Sequence, residues 1–139
     1  MIVSSKEILN YIPQRPPMVM VDSLVEATEK RIVSRFTILK GNVFVEENVL
    51  KEPGIVENIA QTAAAGVGYK QVTQKLPVKL GFIAAIKNLK IYSLPDLNNQ
   101  LETIVEVVNE VMDVTIVQGT VMVSGNKIAE CELRIFVQA

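Results

Sequence analysis

From residue 102 to residue 137 apolar and polar positions alternate in three successive runs, ETIVEVVNEVMD (102–113), VTIVQGTVMVS (114–124) and KIAECELRIFV (127–137). A period of two is that of a strand with one buried face, so each run predicts a long strand. Gly125-Asn126, between the last two runs, predicts a two-residue hairpin loop. EKRIVSRFTI (29–38) alternates in the same way, and MVMVDSLVEAT (18–28) is a second run that should pair with it through a turn near Glu29-Lys30. VKLGFIAAIKNLKIYS (78–93) predicts one more strand, followed by the polar loop LPDLNNQ.

Two stretches break this rhythm. Ser4-Ser5-Lys6-Glu7 has the form of a capping box, which predicts a short first helix ended by Pro13, Pro16 and Pro17. Residues 39–52, with GNVFVEEN, are irregular and suit a loop over a pocket. Pro53 fits the first position of a helix, where its missing N–H costs nothing, and the helix should run to about Tyr69. Ala60, Ala63, Ala64, Ala65, Gly66 and Gly68 make that helix thin, so a sheet can approach it closely. The predicted fold is therefore α+β, with a curved antiparallel sheet wrapped around one central helix (about residues 53–69) in a single domain spanning 1–139.

Composition narrows the function classes. The chain has 139 residues and is 49% hydrophobic, yet no apolar run approaches the roughly 20 residues of a membrane span. Its start lacks the charged-then-apolar order of a signal peptide, and the lone Cys131 sits in a strand-like run as a structural thiol, so a cytoplasmic location is expected. A net charge of −1 argues against a nucleic-acid binder. The charge is unevenly spread, however: from Asn58 to Pro95 there is no Asp or Glu, but there are Lys70, Lys75, Lys79, Lys87 and Lys90. These five describe either a solvated positive face or a docking surface for an acidic partner or an anionic ligand tail.

The chain contains no histidine, which removes Ser-His-Asp, Cys-His and His-metal chemistry, and one cysteine cannot build a zinc cluster. No metal or cofactor is expected. Gly66-Val67-Gly68 lies late in the helix and lacks the spacing of a phosphate loop, so it predicts close packing. Glu57 remains. At helical spacing it shares a face with Gln61, Ala64 and Gly68, among apolar neighbours Val56, Ile59 and Ala60. Two readings stand side by side: a carboxylate interacting with the positive end of the helix, and a partly desolvated acid–base group.

IPQRPPMVMVD resembles the opening of the 3-hydroxyacyl-acyl carrier protein dehydratases, L-P-H-R-x-P-x-x-x-V-D, and ENIAQ resembles their E-A-x-A-Q on the central helix. GFIAAIKNLKI with its polar loop, and SGNKIAECELRIFV, are similar to the strand after that helix and to the closing hairpin. The likeness covers roughly residues 10–137 in order and implies the hotdog fold. It also implies a dimer, with a site shared between subunits, an acyl carrier protein as partner and no cofactor. In the family a loop histidine (G-H-F-P-G) removes the α-proton of a 3-hydroxyacyl thioester, and the helix glutamate helps the hydroxyl leave as water. Glu57 and Gln61 stand at the family's glutamate and glutamine. Glu52 or Gly54 is the implied donor of a backbone N–H to the thioester carbonyl, and Phe82 is implied in acyl binding.

The family histidine has no counterpart. Its spacing falls on Val43, between Asn42 and Phe44, which are left as lining residues, and the first, non-catalytic histidine is replaced by Gln14. The rewritten loop FVEENVLKEPG resembles the dehydratase-like proteins of aryl-polyene and flexirubin-type pigment pathways. Three functions follow from the resemblance: a dehydratase-family protein working with an unusual base or in a mixed dimer, a catalytically silent thioester-binding subunit, or an acyl thioesterase. A homodimer and a heterodimer with a related hotdog protein are both compatible with the sequence.

Overall fold

The computed structural model describes residues 1–75 and 81–137. A short 3-10 helix, Ile8–Asn10, opens the chain. The two strands β1 (Ser23–Ala27) and β2 (Arg31–Thr37) follow, then the pair β3 (Val45–Glu46) and β4 (Val49–Leu50). Helix α1 (Glu52–Thr73) comes next, then four long strands, β5 (Gly81–Ile91), β6 (Gln100–Val111), β7 (Val114–Val123) and β8 (Asn126–Val137). The main sheet has six strands in the order β1-β2-β6-β7-β8-β5, and every neighbouring pair in it is antiparallel. One helix lies across one face of this sheet, as the pattern of small residues and alternating strands predicts.

The alternation assigns the two faces. Leu101, Thr103 and Val105 of β6, Val117, Gly119 and Val121 of β7, and Ala129, Cys131 and Leu133 of β8 are buried beneath the helix. Against them α1 lays Ile55, Ile59, Ala63 and Ala65. Contact is close because the small residues permit it. A Cβ at Gly68 would fall on the backbone carbonyl of Tyr11, and one at Gly66 on the Ile32 side chain, so these glycines serve packing, as expected. The Tyr11 ring also lies 5.7 Å from that of Tyr69, pinning the opening segment to the far end of the helix.

Several boundaries differ from the sequence expectation. The capping box does not form: the Ser4 hydroxyl donates to the Glu7 carboxylate at 3.3 Å rather than to a free amide, and only a 3-10 turn follows. The strand expected from residue 18 begins at Ser23, because backbone groups upstream are claimed by helix side chains (below). Residues 45–50 are not irregular but a tight hairpin, with Glu47 and Asn48 at φ 53° and 65°, the left-handed pair of a two-residue loop. Helix α1 continues four residues past Tyr69, to Thr73. The last hairpin loop is Ser124-Gly125, one residue earlier than expected, since Val123 pairs with Asn126 and both loop residues have positive φ.

The two ends of the sheet are unlike. The β1 edge is covered by the N-terminal residues, Leu24 N–H donating to the Val3 carbonyl at 3.0 Å and Ile2 N–H to that of Leu24 at 2.9 Å. At the other end β5 pairs with β8 alone among the described residues.

Gly68→Ala should place a methyl group against a backbone carbonyl that cannot swing aside. Thermal unfolding is expected to show a loss of about 1–3 kcal/mol, the usual cost of overpacking; an unchanged midpoint would show that the Tyr11 segment is free to move.

Candidate functional site

Proline enters α1 in its first turn and small residues fill its middle, but polar side chains join Ile55 and Ile59 in holding its N-terminal half in place. Asn58, Gln61 and Thr62 are all fully buried, as are Ser34 on β2 and Thr103 on β6. Their hydrogen bonds close on one another. Thr103 Oγ1 donates to Asn58 Oδ1 at 2.5 Å, and Asn58 Nδ2 donates to the Met20 carbonyl at 2.7 Å. Thr62 Oγ1 donates to the Asn58 carbonyl at 2.7 Å, so the Ser34 hydroxyl, 2.7 Å from Thr62 Oγ1, must be the donor to it.

Gln61 completes the layer. Its Oε1 accepts the Met20 N–H at 2.6 Å, and its Nε2 donates to the Met18 carbonyl at 2.8 Å and to Glu57 Oε1 at 2.9 Å. Both amide protons are therefore used, and the amide cannot turn over without leaving the Met20 N–H and the Met18 carbonyl unpaired. Glu57 is half-buried, and its Oε1 is held one helical turn from Gln61. Glu57 Oε2 has no hydrogen bond among the described residues, so it is oriented through Oε1 but not itself engaged.

The other expected site residues sort less evenly. Asn42 Oδ1 accepts the Phe44 N–H at 2.8 Å and its amide lies 3.4 Å from the Met20 sulfur, so Asn42 braces the turn before β3. Phe44 packs against the core, and its carbonyl accepts the Lys51 N–H at 2.9 Å, tying the β3–β4 hairpin to the helix start. Gly54 N–H is spent locally on the Lys51 carbonyl at 2.9 Å, which removes it as a free donor. Its lack of a side chain serves packing: a Cβ would come within 2.7 Å of Leu50 and of Phe44. Pro53 has no N–H, so the Glu52 amide is the first-turn donor left without a hydrogen bond among the described residues. Phe82 stands opposite Phe136 in the β5–β8 register, and its side chain lies outside the described structure.

Lys70 reaches Glu29 at 3.5 Å, and Lys75 follows the end of α1. Lys87 and Lys90 stand on β5 opposite Glu132 and Glu130, on the sheet face turned away from the helix. Lys79 lies outside the described residues. Cys131 is buried and its thiol is pushed up to about 11 by desolvation, which suits the structural role expected of it.

Sequence reasoning found Glu57 and Gln61 but missed Asn58, Thr62, Ser34, Thr103 and Asp22. Asp22 is a half-buried acid beside this layer. Burial raises its carboxyl above the ordinary carboxylate range, partly opposed by the Thr37 N–H that donates to Oδ2 at 2.7 Å. The only available signal was the polar run Asn58–Gln61–Thr62 in an otherwise small and apolar helix.

With one helix laid across a long antiparallel sheet and a glutamate–glutamine pair on its first turns, the chain is a hotdog-fold protein of dehydratase type. The family model described as ApeP dehydratase matches residues 6–139, and the chain belongs to this ApeP-like family. Among curated proteins none matches the sequence. Among solved structures, the dehydratase heterocomplex ApeI:P from Xenorhabdus doucetiae matches with a TM-score of 0.87 at 14% identity, over 95% of this chain and 91% of that one. A hypothetical thioesterase with coenzyme A from Streptococcus pneumoniae TIGR4 matches with a TM-score of 0.68 at 9% identity, over 84% of each chain. The PaaI protein of the E. coli phenylacetic acid degradation operon gives 0.66 at 9%, over 81% of this chain and 80% of that one. At such identities these likenesses speak to the fold alone. Among the described residues no group of three or more metal-binding side chains occurs, and no helix is long and apolar enough to cross a membrane.

Two substitutions test this layer. Gln61→Ala should leave Met20 N–H and the Met18 carbonyl unsatisfied and cost about 2–4 kcal/mol in urea unfolding; a loss under about 1 kcal/mol would mean that water or a neighbour replaces it. Asp22→Asn keeps an oxygen for the Thr37 N–H. A carboxyl raised by folding contributes stability that is present below its unfolded pKa and lost as pH rises through its folded one. The Asn variant is therefore expected to gain on wild type between about pH 4 and neutrality. Urea midpoints that keep the same spacing at both pH values would show Asp22 to be unstrained.

Proposed function

We propose that this chain binds acyl thioesters presented by an acyl carrier protein and supplies one half of a dehydratase site, the other half coming from a related hotdog protein that carries the histidine. The observation that carries this reading is the Glu57–Gln61 pair. Glu57 Oε1 is held by an amide whose remaining groups are all engaged, and its second oxygen is left to a ligand, in a chain without histidine. A carboxyl oriented so firmly suits proton delivery to a leaving hydroxyl.

In the proposed reaction the partner's base takes the α-proton of a 3-hydroxyacyl thioester, and the electrons of that C–H bond form the new double bond. The C–O bond at the β-carbon breaks, and Glu57, entering the reaction as the neutral acid, gives its proton to the hydroxyl, which departs as water. The carboxylate left behind is reprotonated by the α-proton that the partner's base releases to solvent. The Glu52 N–H, free in the first turn, is the donor that suits the thioester carbonyl, where negative charge grows as the α-proton departs. The acyl chain would lie between the two subunits, with Phe44, over Gly54, on one wall. Pairing through the open β5 edge would join the two sheets. The ApeI:P heterocomplex supports a mixed pair as a workable arrangement for this fold. A cytoplasmic setting and a pigment or fatty-acid pathway fit the same reading.

Alone, the chain should bind acyl thioester but dehydrate it slowly or not at all, because loss of one proton-transfer group typically costs about 10²–10⁴-fold. With a histidine-bearing homologue, the absorbance of a newly conjugated enoyl thioester should rise, and Glu57→Gln should depress that rate by a similar factor. Fast turnover by the pure chain, indifferent to Glu57→Gln, would sink the proposal. Release of free thiol in place of a double bond would assign the thioesterase reading instead.

A further inference from the structure

The exposed edge of the sheet has an unusual charge content. β5 carries Lys87 and Lys90 and no Asp or Glu, and the acid-free stretch runs on both sides of it, from Asn58 to Pro95. The strand is otherwise apolar, with Ile83 and Ile86 41% and 43% exposed in positions that face the helix side, opposite Ile135 and Leu133. Its ladder to β8 is interrupted twice, between Ile83 and Ala85 and between Lys87 and Lys90, where Asn88 takes φ 54°. Bulges and lysines of this kind blunt an edge against indiscriminate pairing. Yet among the described residues the edge is not covered, as β1 is by Val3, and it is not short, since β5 spans 11 residues.

A second copy of this chain makes a poor partner here. Two β5 strands related by a two-fold axis run antiparallel, so each residue meets one equally distant from the axis on the other strand. Whatever the register, the residues of β5 set only lysines and neutral side chains against the lysines of its twin, and like charges set close across a strand pair are unfavourable. Within the chain each lysine already stands opposite a glutamate on β8, Glu132 and Glu130, so charge is matched on the inner side and unmatched on the outer.

We infer that the charge pattern of the β5 edge selects the partner: Lys87 and Lys90 disfavour self-pairing and favour a hotdog protein whose edge strand carries carboxylates at the facing positions. This rests on the edge pairing proposed above and adds to it the rule by which the partner is chosen. The apolar residues supply attraction that is indifferent to partner, and the lysines supply the discrimination.

The test uses the full chain and its Lys87→Glu/Lys90→Glu variant, each with a different tag, mixed at equal concentration. The mixed pair can set Lys against Glu, whereas each self-pair offers only like-charged or neutral side chains to its charged positions. Native mass spectrometry at low salt is expected to show the mixed dimer about tenfold above its statistical share, from a few exposed pairs of modest strength, and the excess should vanish in about 1 M salt. Deuterium uptake, followed in parallel, should show the β5 amides protected on association. Statistical mixing with β5 protected would overturn the charge rule and leave the edge pairing standing. Association that leaves β5 exchange unchanged would overturn both.

Discussion

The N–H and carbonyl of Met20 are satisfied by two side chains of the same helix, Gln61 and Asn58, and most of the functional geometry depends on that arrangement. A buried backbone needs partners, and ordinarily a neighbouring strand supplies them. Here the segment from Met18 to Met20 lies against α1, so the amides of Asn58 and Gln61 play the part of a strand. The consequence passes in both directions. The segment is fixed to the helix, and Gln61, committed to Met18 and Met20, is fixed strongly enough to hold Glu57 in turn. Asn58 extends the tie through Thr103 to the sheet. Three layers of the molecule are thus locked at one height along the helix, and the oriented carboxylate is the outermost member of the chain of bonds.

The electrostatic features divide along the same lines. The buried amides and hydroxyls of Asn58, Gln61, Thr62, Ser34 and Thr103 all find partners. Gln14 Oε1, by contrast, has none among the described residues, and the burial of Asp22 is only partly answered, by the Thr37 N–H. On the outer face of the sheet, ion pairs such as Arg35–Glu102 at 3.6 Å and Lys127–Glu130 at 3.1 Å are partly solvated and contribute little to stability.

Much of the architecture was legible because it rests on periodicity. The four long strands after the helix alternate cleanly, and the cluster Ala63–Gly68 announces a helix meant to be approached closely. What escaped detection depends on contacts distant in sequence. MVMVD has the same alternation whether its backbone bonds to a strand or to amide side chains, and the separation of 41 positions from Met20 to Gln61 conceals which applies. Asn58 and Thr62 read as ordinary polar helix residues until Met20, Ser34 and Thr103 surround them. The hairpin at Glu47-Asn48 was hidden because a left-handed Glu gives no sequence signal of the kind glycine would. The same limit applied at the end of α1, where Lys75 turns the chain at φ 55° without a glycine. Glu57 and Gln61 were visible as a pair through their spacing, but not the three bonds that commit Gln61.

The β3–β4 hairpin also decides what position 43 can offer. It is knit in at several points: Leu50 N–H to the Pro95 carbonyl at 2.9 Å, Leu97 N–H to that of Asn48 at 3.0 Å, and Lys51 N–H to that of Phe44. Val43, at the spacing of the base in the dehydratases that the sequence resembles, is 49% exposed beside it, while its neighbours Asn42 and Phe44 take the inward positions. A side chain grafted at 43 would therefore point away from the hairpin's filled interior. Changing that residue alone would repaint the outside of the loop and leave its frame as it stands.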